Sequence, residues 1–445
     1  MILRGPIITT VMLLSLPTMM MGTVQALIPL IDGLFINNLV GVDAASAVTY
    51  CGPIVMMMSS LAQGLGVAGM AMIGQMNGRG EYKQAKYLST QIVVSAVILG
   101  LLIAPLLAII AIPVSHHVNV QMAHNVFLYL ALSSLVLPFQ FIEVVYNAIK
   151  NANGKPEAPF IRMLIMLVFK LIFNILFVGF LGMGIIGSVI ATLCANFIIS
   201  FWMYYEMFLT KGEDKLSLHG FRFDFMTIKQ LFQIGVPSMI SSAMLNLGFL
   251  LINNEVEKYG PVVLTGQGIA NNITSICFIV PSSFGSSVTT MVSMNIGAGQ
   301  GNKARKSCHV GTVIAAISAA VLIAIVVPLS THLTVLFTRQ TDVLYYANTS
   351  LHIYIYSVIG FAVCMVQIGA FIGLGRTVMP MLINVMRIWF LRYLFILATE
   401  RYLSVFSVFW GNLFSNYACA VITTLLILRV TWVSSLPQSR SIADD

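Results

Sequence analysis

The sequence has very little charge. Lys, Arg, Asp and Glu make up 9% of its 445 residues, against 58% hydrophobic residues, where soluble domains carry about 25% charged residues. That shortage excludes a soluble globular protein. No hydrophilic stretch is long enough for a separate soluble domain; the longest polar interval runs only from Lys211 to Lys229. The six cysteines (Cys51, Cys194, Cys277, Cys308, Cys364 and Cys419) form no CxxC and no Cys/His spacing, so neither a disulfide framework nor a zinc site is expected. They read as small buried hydrophobes. There is no HExxH, no paired acidic metal motif and no GxSxG elbow, so no enzyme, no cofactor and no resident metal is expected. Nothing resembles the selectivity filter of a passive channel.

What is present is apolar length. A bilayer core about 30 Å thick needs about 20 apolar residues per helix. The apolar runs predict twelve spans, at roughly 7–36, 45–76, 88–112, 123–149, 159–180, 184–208, 231–257, 261–295, 309–331, 343–370, 379–399 and 403–429. The first run is too long for a cleavable signal and reads as a spanning helix. Prolines such as Pro17, Pro29, Pro237 and Pro281 fall inside these runs, which membranes tolerate where neighbours satisfy the freed carbonyls. The expected fold class is an all-α membrane protein.

The net charge of +8 reports orientation rather than nucleic-acid binding. Sixteen of the 23 basic residues fall in one alternate set of loops and tails. Three (Lys258, Arg339, Arg401) fall in the other, and four (Arg162, Lys170, Arg387, Arg392) lie within helices. That asymmetry predicts both termini in the cytoplasm of a bacterial inner-membrane protein.

Three landmarks recur. Leu16-Pro17 answers Val236-Pro237. Asn77-Gly78-Arg79-Gly80 answers Ile296-Gly297-Ala298-Gly299. Gly154-Lys155 with Pro159 answers Gly375-Arg376 with Pro380. The offsets are 220, 219 and 221 residues. A constant spacing in constant order predicts a duplicated six-helix unit. Six is even, so the repeats run parallel, an arrangement of transporters that rock about a central cavity. The expected division is an N-terminal lobe at 1–210, a cytoplasmic linker at 211–230, a C-terminal lobe at 231–430 and a tail at 431–445.

The same landmarks carry a family resemblance. Pro29-Leu-Ile-Asp32-Gly-Leu-Phe35-Ile36, followed by Gly41 and Ala44, resembles the first-helix signature of the multidrug and toxic compound extrusion (MATE) family. Gly297-Ala-Gly-Gln-Gly-Asn302, followed by Ala304-Arg305, resembles that family's loop after helix 8. Asn174, Gly182-Met-Gly184, Gly187 and Ala191-Thr192 resemble its helices 5 and 6. The resemblance implies export of amphipathic, often cationic small molecules, driven by inward flow of protons or sodium. It also implies that Asp32, Asn174 and Thr192 form the cluster of the first lobe that binds the coupling ion. Pro17 matches a proline where the family's first helix bends.

The residue types suit that chemistry. An intramembrane carboxylate costs about 2.5–3.5 kcal/mol on insertion scales and usually faces a cavity. Asp32 lies about five residues, roughly 7.5 Å, from the outer end of helix 1. With amide and hydroxyl oxygens it could carry a proton or coordinate Na+. The alternative is that Asp32 is a loop residue past a shorter helix. Pro17 and Pro29 mark either a working bend or a static kink. Two departures from the family pattern stand out. Val178 replaces a second aspartate that many members carry, which favours protons over sodium. Helix 7 holds no acid before Glu255, and helix 10 reads Cys364-Met-Val-Gln367, which favours the DinF-like branch that couples through the first lobe.

Other polar residues are open. Glu143 could line the cavity or sit near the inner surface. Lys170 could pair with Asp32 or another carboxylate, or repel substrate. Arg387 and Arg392 could snorkel or pair. Asn246, Gln267, Asn271 and Gln367 could line a polar second lobe. The 26 methionines suit an adaptable binding surface or ordinary packing. A monomer with membrane lipid as its surroundings is expected. A lipid-linked oligosaccharide flippase of similar architecture is the alternative function.

Overall fold

The computed structural model describes residues 2–40, 42–116, 120–210, 215–219 and 221–434; side chains at 29, 30, 33, 34, 37, 38, 42, 43, 45, 46, 49, 120–122, 257 and 261 are outside that description. The described chain is helical almost throughout, as a bilayer requires of a backbone that must satisfy its own polar groups. Among the described residues eleven helices are long and apolar enough to span, and one bent pair, taken as one span, makes twelve.

In the first repeat α1 is Ile7–Leu39, α2 Val42–Arg79 and α3 Tyr82–His116. Helix α4 has two pieces, Val120–Ser134 and Leu137–Ala152. Helix α5 is Glu157–Asn174 and continues as a π-helical turn, Ile175–Phe180. Helix α6 is Gly184–Tyr204 with a π-helical end, Tyr205–Leu209. In the second repeat α7 is Phe225–Glu257, α8 Pro261–Gly297, α9 Gly301–Val335 and α10 Thr341–Gly373. Helix α11 runs from Val378–Val385 through a π segment, Met386–Tyr393, into Leu394–Leu403, and α12 is Phe406–Arg429.

Several helices outrun the apolar runs that predicted them. Helix α3 begins at Tyr82 and α9 at Gly301, because Lys83-Gln84-Ala85-Lys86 and Lys303-Ala304-Arg305-Lys306 are good helix formers that hydropathy leaves out. Helix α7 begins at Phe225, so residues 225–230 of the expected linker are helical. Helix α4 was expected to be continuous and instead bends by 48°. Pro138 accounts for the bend, since its ring lacks an N–H and clashes with the carbonyl four residues back, at Ser134. The chain tightens there into turns from Leu135 N to Leu132 O and from Val136 N to Ser133 O.

The repeat landmarks are helix caps. Gly80, Gly154, Gly299 and Gly375 all have φ between +71° and +80°. Each closes its helix with the same bond pair. In the first, Gly80 N donates to Asn77 O and Glu81 N to Met76 O; in its counterpart, Gly299 N donates to Ile296 O and Gln300 N to Asn295 O. This is the Schellman arrangement, in which a left-handed residue satisfies the last carbonyls.

The described chain divides into two compact units. One contains the described residues within 2–19 and 240–434, the other those within 20–239. The changeovers lie inside α1 and α7, at positions 220 residues apart, and Pro17 and Pro237 each stand two residues before one. In the first unit Ser15 of α1 donates to Ser287 of α8, 3.0 Å. In the second, Gly235 of α7 lies so close to α2 that a Cβ there would sit 2.9 Å from the Gly64 carbonyl oxygen. Small residues let helix backbones approach in membranes. Between α8 and α10 the approach is closer still: a Cβ on Gly369 would lie 2.2 Å from the Gly285 carbonyl oxygen. The core of the second unit gathers Ile36, Cys51, Leu107, Leu130, Leu137 and Val189 from five helices. All six cysteines are free.

Candidate functional site

Helix α5 carries Lys170 and Asn174 one turn apart, on one face. Both reach Asp32 of α1. Lys170 Nζ lies 2.6 Å from Asp32 Oδ2, and Asn174 Nδ2 donates to Asp32 Oδ1, 3.1 Å. The Lys170 side chain is 4% exposed and that of Asp32 19%. Each carboxylate oxygen therefore has its own donor. Asn174 Oδ1 is buried and has no partner among the described residues. That leaves one acceptor beside the carboxylate. The helix turns π-helical immediately after Asn174, a feature frequent at functional sites. Val178 sits in that turn, buried. Tyr129 of α4 lies within electrostatic reach of Asp32 and was not anticipated from the sequence.

The other expected residues are placed differently. Thr192 on α6 is half-buried, and its hydroxyl donates to the Ser188 carbonyl of its own helix, 3.0 Å. No hydrogen bond joins it to Asp32 among the described residues. Pro17 is half-buried in α1; Pro29 lies in the same helix, with its side chain outside the described residues. Glu143 is half-buried on α4. Gln267 donates to the Tyr354 hydroxyl, 3.1 Å, and Gln367 exchanges hydrogen bonds with Thr424. Asn246 and Asn271 are exposed. No hydrogen bond links these four among the described residues.

Two charge clusters were not legible as such. In the first repeat Glu206, at the π-helical end of α6, gathers three partners. Lys150 Nζ lies 2.8 Å from Oε1, the Tyr146 hydroxyl donates to Oε2 at 2.9 Å, and Arg162 pairs with Oε2. The Arg162 guanidinium also stacks 3.8 Å above the Trp202 ring. In the second repeat Arg387 and Arg392 neither snorkel nor pair. They are 6% and 5% exposed, and no carboxylate bridges to either among the described residues.

The MatE family model matches residues 17–176 and again 237–397. The chain belongs to the MatE (multidrug and toxic compound extrusion) family. The two matches begin 220 residues apart, at Pro17 and Pro237, which bears out the duplication. The MATE-family chain is 22% identical over 436 residues to the probable multidrug resistance protein YoeA of Bacillus subtilis (strain 168), covering 94% of this chain and 91% of that one. It is 22% identical over 443 residues to the multidrug export protein MepA of Staphylococcus aureus (strain MSSA476), covering 95% and 94%. A crystal structure of a MATE in the straight conformation shares its fold, with a TM-score of 0.91 at 20% identity over 96% of both chains. The MATE-family chain is thus a multi-pass membrane transporter for small molecules and not an enzyme. These relatives do not favour the flippase alternative. Asp32, Lys170 and Asn174 all fall within the first match; Arg387 and Arg392 fall within the second.

Proposed function

We propose that this transporter is a secondary active antiporter, exporting amphipathic or cationic drugs or toxins by alternating access in exchange for inward-moving protons. The observation that carries this reading is the Asp32–Lys170–Asn174 cluster within the first repeat. It supports coupling through the first lobe, as in DinF-like members, with Thr192 on α6 of the same repeat.

Lys170 bears on the choice of ion. A sodium ion about 4 Å from an ammonium is repelled by about 4 kcal/mol at an effective dielectric of 20. A proton bonds to the carboxylate itself and needs no room beside the ammonium. Protonation of Asp32 takes the counter-charge from Lys170, and an unpaired buried charge is strongly unfavourable. Loading the proton therefore loosens α1 from α5. Helix α1 can respond because Pro17 removes a backbone bond two residues before the helix changes units. A cationic substrate competes with the proton for the same carboxylate, which is the exchange an antiporter needs. The loop charges support cytoplasmic termini in a bacterial inner membrane.

The test is purified protein in proteoliposomes, loaded with ethidium and given a proton gradient or a sodium gradient in turn. Transport under the proton gradient alone supports the reading. Transport under the sodium gradient alone, or under neither, overturns it.

A further inference from the structure

Arg387 and Arg392 are the tenth and fifteenth residues of the 26-residue span Val378–Leu403, close to its middle. An intramembrane ionisable residue is expensive and is retained for function by default. Here there are two of the same sign. The π segment that holds them explains how they come together. Residues five apart in an α-helix point about 140° away from each other; an i→i+5 turn brings them onto one side. The segment is fixed from behind by α7. The Trp389 indole donates to the Met244 carbonyl, 2.9 Å, and Gly248 packs directly on Ile388.

The surroundings of the pair are neutral. Arg387 donates to Asn416 Oδ1 at 3.2 Å and reaches Asn384 Oδ1 at 3.5 Å. Those amides are themselves held, Asn416 by Asn412 and Asn384 by Ser241. Arg392 lies 5.8 Å from the Phe249 ring and 6.0 Å from the Tyr354 ring, and its guanidinium also reaches the neutral Tyr354 hydroxyl. The two guanidinium groups act on each other electrostatically. Two carboxylates of the same unit are engaged elsewhere, Glu255 with Lys258 and Tyr393 and Glu400 with Tyr259, and no ion pair joins a carboxylate to either arginine among the described residues. Arg387 Nε and Arg392 Nε are both buried without a partner among the described residues. Uncompensated buried cations with spare planar donors are what an oxyanion requires.

We propose that the π segment of α11 holds an anion-binding site, in which Arg387 and Arg392 bind one phosphate- or carboxylate-type headgroup of an amphiphile. This is a site for negative charge in the second repeat, separate from the carboxylate of the first. It stands or falls independently of proton coupling at Asp32. It extends the compounds the protein holds to anionic or zwitterionic amphiphiles, supplied as transported solute or as membrane lipid.

The test uses the full-length protein in phosphatidylcholine nanodiscs. The probes are dodecyl phosphate and, as its cationic counterpart, dodecyltrimethylammonium, with binding followed by tryptophan fluorescence. A second arm measures phosphatidylglycerol retained from mixed nanodiscs by native mass spectrometry. The wild type should bind dodecyl phosphate in the first arm if the anion is a solute, and retain phosphatidylglycerol in the second if it is a lipid. The double variant Arg387→Gln/Arg392→Gln should weaken either by about thirtyfold or more. Arg376→Gln, at a half-buried arginine bonded to Thr431, should change neither. A structural role predicts a lower melting temperature for the double variant without ligand; the proposal predicts an equal or higher one, because two unpaired buried charges are removed. A wild type that neither binds dodecyl phosphate nor retains phosphatidylglycerol in preference to phosphatidylcholine overturns the site. The comparison within the wild type decides this even if the variants do not fold.

Discussion

Lys170 on α5 places its ammonium 2.6 Å from a carboxylate oxygen of Asp32 on α1, and each is the other's ion-pair partner. The pair ties the first helix of the repeat to the fifth. It is also where the carboxylate of the first helix meets a buried positive charge.

Removing one member of this pair should harm stability more than removing both. Asp32→Ala leaves a buried ammonium without a partner, at a cost of about 3 kcal/mol. The double variant Asp32→Asn/Lys170→Gln should recover most of that stability and still fail to export. Melting temperatures of the purified single and double variants check the first statement, and dye efflux from cells checks the second. Equal melting temperatures for Asp32→Ala and the double variant would mean the two side chains are not energetically coupled.

Lys170 should also set ion selectivity. Asn174 Oδ1 is a buried acceptor beside Asp32 without a partner among the described residues. Lys170→Ala therefore opens a carboxylate and an amide oxygen to a hard cation. The variant should acquire a response to a sodium gradient that the wild type lacks. Vesicle transport with sodium inside or outside, at matched pH, measures this. An unchanged ion dependence would remove Lys170 from the coupling account.

Two kinds of glycine should respond differently to alanine. At Gly80 and Gly299 a Cβ meets nothing within 4 Å, so only the left-handed backbone resists substitution, at about 1–2 kcal/mol. At Gly369 a Cβ would lie 2.2 Å from the Gly285 carbonyl oxygen, so α8 and α10 must part. Gly369→Ala should therefore lower the melting temperature clearly more than Gly80→Ala. The reverse order would contradict the α8–α10 packing.

Glu206 should matter for stability and Glu143 much less. Glu206→Gln takes the counter-charge from both Lys150 and Arg162, a loss of up to about 3 kcal/mol for partners that are largely buried. Glu143→Gln removes no ion pair among the described residues. Thermal unfolding in detergent distinguishes them, and a Glu143 variant as unstable as Glu206→Gln would reveal a partner for Glu143.

Much of the fold was legible because membrane helices announce themselves by apolar length. The twelve spans, the duplication and the cap glycines at 80, 154, 299 and 375 all come from short-range patterns. What escaped depends on distant packing. The bend of α4 could have been read from Pro138, whose clash is local. The π turns could not, since nothing in the composition of Ile175–Phe180 or Met386–Tyr393 distinguishes a π turn from an α-helix. The changeover of α1 and α7 between units rests on contacts such as Ser15–Ser287, 272 residues apart. Within the site, Asp32 and Asn174 were named from the family resemblance and are in contact. Lys170 was read as a charge that could pair with Asp32 or another carboxylate or repel substrate, and the structure selects Asp32. Glu206 was not singled out in the sequence, and its role emerges only when Lys150 and Arg162 arrive from α4 and α5.

The most direct measurement is proton-driven ethidium transport in proteoliposomes by wild type and Asp32→Asn, at equal reconstituted amounts and under the same imposed pH gradient. The account predicts that the wild type transports in proportion to the gradient and that Asp32→Asn, folded and inserted, shows no gradient-dependent transport. Full gradient-dependent transport by Asp32→Asn would contradict the assignment of coupling to this carboxylate.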